Sequence, residues 1–187
     1  AQGGYFDRRD ALRYGFSDSL LGYHLRSGRF ERLAPGVYRL QVAPISRYDE
    51  YLRAWVWTNY RGAISHESAL ALYELGDVSP AQIHITVPRP FHRVSAPYKV
   101  HRASLPPSDV RMCRGVQVTS PARSLSDAAA TGTDPAQIHK AVQDALRRGL
   151  VDRDTLRSAA NRRPNQYVRN ARQLIEEAIL TAEEGCQ

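Results

Sequence analysis

The order of signals in the first forty residues constrains the fold most. Asp7 opens a polar-led stretch to Tyr14 that predicts a helix, and Gly15-Phe16-Ser17 breaks it. Ser17 predicts the N-cap of a second helix, Asp18 to about Ser27, because its hydroxyl can accept an orphan backbone N–H. Gly28 supplies the stop. Leu33, Val37 and Tyr38 are strand formers on either side of Ala34-Pro35-Gly36, which reads as a tight turn. Helix, short turn, helix and two-stranded wing, in that order, is the plan of a winged helix-turn-helix. In that plan the second helix enters the major groove of DNA and the wing holds the backbone.

Within the second helix, Leu20, Leu21 and Leu25 are assigned to the buried stripe. That leaves Ser19, Gly22, Tyr23 and Arg26 for other faces. Ser19 and Gly22 are small enough for close approach to a groove, and Tyr23 and Arg26 can reach phosphates or base edges. Arg29, Arg32 and Arg39 decorate the wing. The candidate DNA contacts are therefore Ser19, Tyr23, Arg26, Arg29, Arg32 and Arg39. A winged helix used only for protein contacts or as scaffold is the competing use of the same pattern.

Pro44 and Ser46 mark a linker, which predicts a DNA-binding domain at 1–43 and an α/β domain at 47–187. Residues 47–60 carry Tyr48, Tyr51, Leu52, Trp55 and Val56 at helical spacing, so both tryptophans are read as core rather than as stacking platforms for bases. Residues 63–76 predict a helix with Ser65 as N-cap, Glu67 in the first turn and Gly76 as stop. His66-Glu67 lacks the second histidine of a zinc-protease motif and is read as part of that helix start. Ile83–Val87 alternates as a strand that ends at Pro88, Tyr98–Arg102 is its expected partner across a basic loop tip, and Gly115–Thr119 is a third strand. Ser120-Pro121, Asp134-Pro135 and Asp152 each open a helix, and a last helix spans about 166–184. The fold class is α+β: a winged helix-turn-helix, then a mixed α/β domain with a small, mainly antiparallel sheet and a helical C-terminal part.

The net charge of +7 points to a polyanionic or acidic partner. The winged-helix segment is not the most basic part. Residues 89–123 hold seven basic side chains against Asp109 alone, and residues 147–172 hold eight arginines against Asp152 and Asp154. This suggests a second partner beyond DNA, with Arg89, Arg93, Arg147, Arg148, Arg162 and Arg163 as its candidate contacts. The two cysteines, Cys113 and Cys186, match neither metal spacing nor a disulfide framework, so a reducing cytoplasm is expected. No membrane span or secretory signal is seen. The chain does not open with Met, so its start is expected to have been trimmed.

No phosphate-cradling glycine loop and no protein-kinase triplet occurs, no spaced carboxylate set suggests a nuclease, and no catalytic residue, metal or cofactor is assigned. Leu33-Ala34-Pro35-Gly36-Val37-Tyr38, Ile64-Ser65-His66-Glu67-Ser68-Ala69-Leu70 and Val118-Thr119-Ser120-Pro121-Ala122-Arg123-Ser124-Leu125-Ser126-Asp127 occur in that order. On these three motifs the chain, from about Tyr5 to about Ala129, resembles the AbiEi family of antitoxins from bacterial toxin–antitoxin and abortive-infection loci. The resemblance implies a winged helix that binds operator DNA and represses its own operon. It further implies a C-terminal part that neutralises a cognate nucleotidyltransferase-like toxin, which makes the second set of arginines candidate toxin contacts. Arg123 and Asp127, four apart on one helical face, are expected to pair or to tie the helix to the sheet. The alternative of a different class is an enzyme that inactivates the toxin covalently, such as an atypical protein kinase.

Overall fold

The computed structural model describes residues 3–94, 97–162 and 167–184. The chain begins with a strand that the sequence reading did not anticipate, β1 (Tyr5–Asp7). Helix α1 (Arg8–Arg13) follows directly, closed by a capping box between Asp7 and Asp10. Helix α2 (Asp18–Arg26) starts at Ser17, whose side chain accepts from the Leu20 N–H as expected. The wing strands β2 (Phe30–Ala34) and β3 (Val37–Leu40) pair antiparallel, and β1 adds to the far side of β3. Ala11, Leu21, Phe30 and Tyr38 form a small apolar centre behind this sheet. Leu20, assigned to the buried stripe, is 39% exposed. Leu21 and the half-buried Leu25 fill that small centre between them, so the leucine next to Leu21 is rotated off the face.

Helix α3 (Asp49–Trp57) joins this module to the rest. Trp55 and Trp57 are buried, as their helical spacing implied. The second sheet has strands β4 (Ala63–Ile64), β5 (Ile83–Val87), β6 (Tyr98–Arg102), β7 (Val110–Cys113) and β8 (Val116–Thr119), in the order β6-β5-β4-β8-β7. The pairs β4/β5 and β7/β8 are antiparallel, and β5/β6 and β4/β8 are parallel. Two details correct the sequence reading. Ala63-Ile64 is not the first turn of a helix but the central strand of the sheet, and helix α4 (His66–Tyr73) begins only after it. Tyr98–Arg102 does not return as a hairpin but runs parallel to β5, with Ile83 opposite Tyr98. After β5, Phe91 is buried, with its ring 5.5 Å from that of Trp57.

On one face of this sheet, Ile83, Ile85, Val87, Val116 and Val118 share a core with α3. On the other lie α4 and the helical part: α5 (Pro121–Ala130), α6 (Pro135–Arg147), α7 (Arg153–Asn161) and α8 (Tyr167–Glu184). Ser120, Asp134 and Asp152 cap α5, α6 and α7 through their side chains, as predicted. Ser65 occupies the N-cap position of α4 but makes no side-chain cap. Its hydroxyl is taken instead by Thr86, 2.8 Å away. Leu70, Leu125, Ile138, Leu156, Ile175 and Ile179 form the second core, among these helices.

Candidate nucleic-acid interface and polar cleft

Helix α2 presents Ser19, Tyr23 and Arg26 to solvent, at spacings of four and three that place them on one stripe. Gly22 lies beside them, and a Cβ built there would meet only the Arg26 guanidinium, at 3.4 Å. Leu21 and Leu25 turn the opposite face into the small core. Asp18 is paired with Arg8 of α1 at 2.5 Å, which fixes the start of α2 against α1 and holds the Asp18 carboxyl below the usual carboxylate range. On the wing, Arg29 and Arg32 are exposed. Arg39 differs from the sequence reading: it is only 6% exposed, donates to the Ala43 carbonyl at 2.5 Å and lies 3.9 Å from Asp49. Strand β3 is the middle strand of its sheet, and Arg39 sits opposite Tyr5, so its side chain is directed into the junction with α3.

The second set of arginines does not form one patch. Arg89 is exposed at the edge of a cleft of about 420 Å³. Arg93 donates to the Trp57 carbonyl at 2.8 Å and so serves to hold its own loop on α3. Arg147 pairs with Asp144 at 2.6 Å. Arg148 donates to the Tyr73 and Glu74 carbonyls at 2.7 and 3.0 Å, so it satisfies the open C-terminal end of α4. Arg162 lies 3.3 Å from Asp109. Arg163 lies outside the described residues.

The cleft beside Arg89 also carries His66, His101, Arg102, Arg123 and Asp127. Arg123 donates through Nε to Asp127 at 2.8 Å and through Nη1 to Asp109 at 2.8 Å, so it both pairs within α5 and ties the helix to the turn before β7. Asp127 is fully buried, and its carboxylate lies 4.0 Å from Nδ1 of His66. Strand β5 is buried along its whole length, so its pleat must place His84 and Thr86 against α4 while Ile83, Ile85 and Val87 face α3. His84 follows that rule and meets His66 at the start of α4 and His101 on β6. The ring centroids lie 3.6 Å apart for His66 and His101, 5.5 Å for His66 and His84, and 5.2 Å for His84 and His101. One nitrogen from each of the three rings lies within 4.8 Å of the others. Burial, then the Lys99 charge, pushes the His84 pKa down, against the opposing pull of Glu67.

No residue-spacing rule brings these three histidines together in the sequence. The available signal was the buried alternation of β5, in which a histidine between two isoleucines must occupy the polar inner face.

Residues 62–177 match the family model for the AbiEi antitoxin C-terminal domain, and residues 1–41 match that for the transcriptional regulator, AbiEi antitoxin. No curated protein matches the chain. Among solved structures, the RV2827C protein from Mycobacterium tuberculosis is similar with a TM-score of 0.63 at 17% identity, over 93% of this chain and 72% of that one. That likeness shows a shared fold.

Proposed function

Because the chain belongs to the AbiEi antitoxin family, we propose that it seats α2 in the major groove of its operator and neutralises a nucleotidyltransferase-like toxin through its C-terminal domain. The family gives the coarser statement directly: this is an antitoxin with a transcriptional-regulator module at its N-terminus. The observation that carries the DNA reading is the exposed stripe of Ser19, Tyr23 and Arg26, backed by a buried leucine face and flanked by Gly22. A helix of this kind can approach base edges closely while Arg29 and Arg32 hold phosphates from the wing. Arg39 is left out of this contact set because its guanidinium is spent inside the protein.

The measurement is fluorescence anisotropy with labelled operator DNA. Arg26→Ala is expected to weaken binding by about 1–3 kcal/mol, and Arg32→Ala to weaken it while lowering the salt slope by about one. Binding by Arg26→Ala equal to wild type refutes the placement of α2.

For the toxin, Arg89, on the cleft, and Arg162, which shares Asp109 with the cleft residue Arg123, are the retained candidates, and Arg147 forms a separate site at the end of α6. Size-exclusion of the chain mixed with the toxin encoded beside it tests this reading, with complex formation reduced in Arg89→Ala. Intact mass of the toxin after incubation with ATP distinguishes neutralisation by complex from covalent inactivation.

A further inference from the structure

We propose that His66, His84 and His101 form a zinc-binding site, with the fourth coordination position open to the cleft beside Arg89 and Arg102. His66 opens α4, His84 is the second residue of β5 and His101 the fourth of β6. Only the tertiary fold brings them within 4.8 Å at their ring nitrogens. Three imidazoles plus one open position is a donor set that suits Zn²⁺, whose bonds to histidine nitrogen are about 2.0–2.1 Å long.

Two further observations point to a ligand here. Nδ1 of His84 is buried without a hydrogen-bond partner, in a residue only 6% exposed. A buried polar atom left so carries a desolvation cost that a bound ion would remove. In addition, His66 holds a φ of +54°, a left-handed conformation that a non-glycine residue adopts only at a cost. Its ring lies 5.5 Å from that of His84 and 3.6 Å from that of His101. Asp127 stands 4.0 Å behind His66 and is itself fixed by Arg123. The group within hydrogen-bond distance of Nδ1 of His66 is the Ser65 hydroxyl, at 2.9 Å, and a hydrogen bond of this kind orients a histidine ring.

Lys99, opposite His84 in the β5/β6 register, is the cation that acts on that ring, while the arginines of the rim are spent elsewhere. Arg123 is engaged by Asp109 and Asp127, and Arg102 donates to the Phe91 carbonyl at 2.9 Å. The positive rim instead favours an anion or hydroxide as the fourth ligand.

The test uses the full chain after dialysis against a chelator, titrated with Zn²⁺ by calorimetry and with Co²⁺ by visible absorption. The expected result is one equivalent of Zn²⁺ bound, and a Co²⁺ spectrum of nitrogen-ligated, low-symmetry type. His84→Asn and His101→Asn are each expected to weaken binding at least about tenfold, while His139→Asn on α6, away from the cluster, leaves it unchanged. Circular dichroism without metal identifies variants that fail to fold, and the wild-type stoichiometry and Co²⁺ spectrum do not depend on them. Absence of saturable binding by the wild type overturns the site, as does unaltered binding in a folded His101→Asn. Loss of binding in His139→Asn does the same. Operator binding is read in parallel, so a failed metal site leaves the DNA reading untouched.

Discussion

Arg32 and Arg39 lie seven residues apart on the same wing and have the same chemistry, yet the fold gives them opposite work. Arg32 is exposed on the edge strand, while Arg39 is buried on the middle strand between Tyr5 and Asp49, with its guanidinium 5.9 Å from the centre of the Tyr5 ring. Truncating Arg39 strips Asp49 of a cationic neighbour and leaves the Ala43 carbonyl without its donor. Arg39→Ala is therefore expected to cost about 2–4 kcal/mol in chemical denaturation, with the folded fraction binding operator as the wild type does. Arg32→Ala should do the reverse: an unchanged denaturation midpoint and weaker binding. Equal stability of the two variants contradicts the inward role of Arg39. The sequence could not separate them, because strand alternation assigns faces only once the neighbouring strands are known, and β1, which makes β3 a middle strand, is three residues long.

At the scale of elements, the helices and the strands β5, β6 and β8 are legible in the sequence, while the pairing of the sheet is not. Ser17, Ser120, Asp134 and Asp152 cap their helices as local chemistry dictates, because a cap is decided within four residues. Strand pairing is decided at a distance. Ala63-Ile64 looks like the lead-in to a helix and becomes the centre of the sheet only because β5 and β8 close on it. Strand β7 turns into β8 through Arg114 and Gly115, which both adopt positive φ, the backbone of a two-residue hairpin turn that Arg-Gly signals only weakly in a sequence. The histidine cleft was hidden for the same reason. The Arg123–Asp127 pair was visible as a spacing of four, but its third member, Asp109, was not. Arg123→Ala would leave two buried carboxylates without their bridge, and a loss of about 3–5 kcal/mol is expected by denaturant titration. The α7–α8 contact behaves differently because it is exposed. Hydrogen bonds from Arg157 hold the Glu176 pKa down, so its contribution is present above the usual carboxylate range and is lost as pH falls through the lowered value. Glu176→Gln should remove that part of the acid dependence, worth under about 1 kcal/mol, and leave the midpoint at alkaline pH unaffected by further titration of this site.

At the scale of the whole molecule, the winged helix and the antitoxin domain share one core. Tyr5 and Val37 pack in the same cluster as Leu52, Trp55 and Ile64, and the Tyr5 hydroxyl donates to Asp49 at 3.0 Å. Arg9 of α1 reaches the Asn59 carbonyl at 3.2 Å, and Tyr60 bonds Asp10. Helix α3 thus serves as a wall for both sheets, which is why a linker at Pro44 separates two sequence families without separating two cores. Burial and the Asp49 carboxylate push the Tyr5 pKa up to about 12. The junction therefore keeps its full strength below pH 10, the ordinary tyrosine value, and weakens as pH rises through about 12. Tyr5→Phe removes one hydrogen bond, at about 1 kcal/mol, and should also remove this alkaline weakening. A sharper test is Leu52→Ala, in the centre of the shared wall, where a cost of about 2–5 kcal/mol is expected. Tryptophan fluorescence follows the α3 core, and loss of operator anisotropy follows the winged helix. If the core is one cooperative unit, both denaturation midpoints fall together and by the same amount in Leu52→Ala. A fluorescence midpoint that drops while operator binding persists to the wild-type denaturant concentration shows that the winged helix stands without α3, and that the coupling between the two modules is not structural.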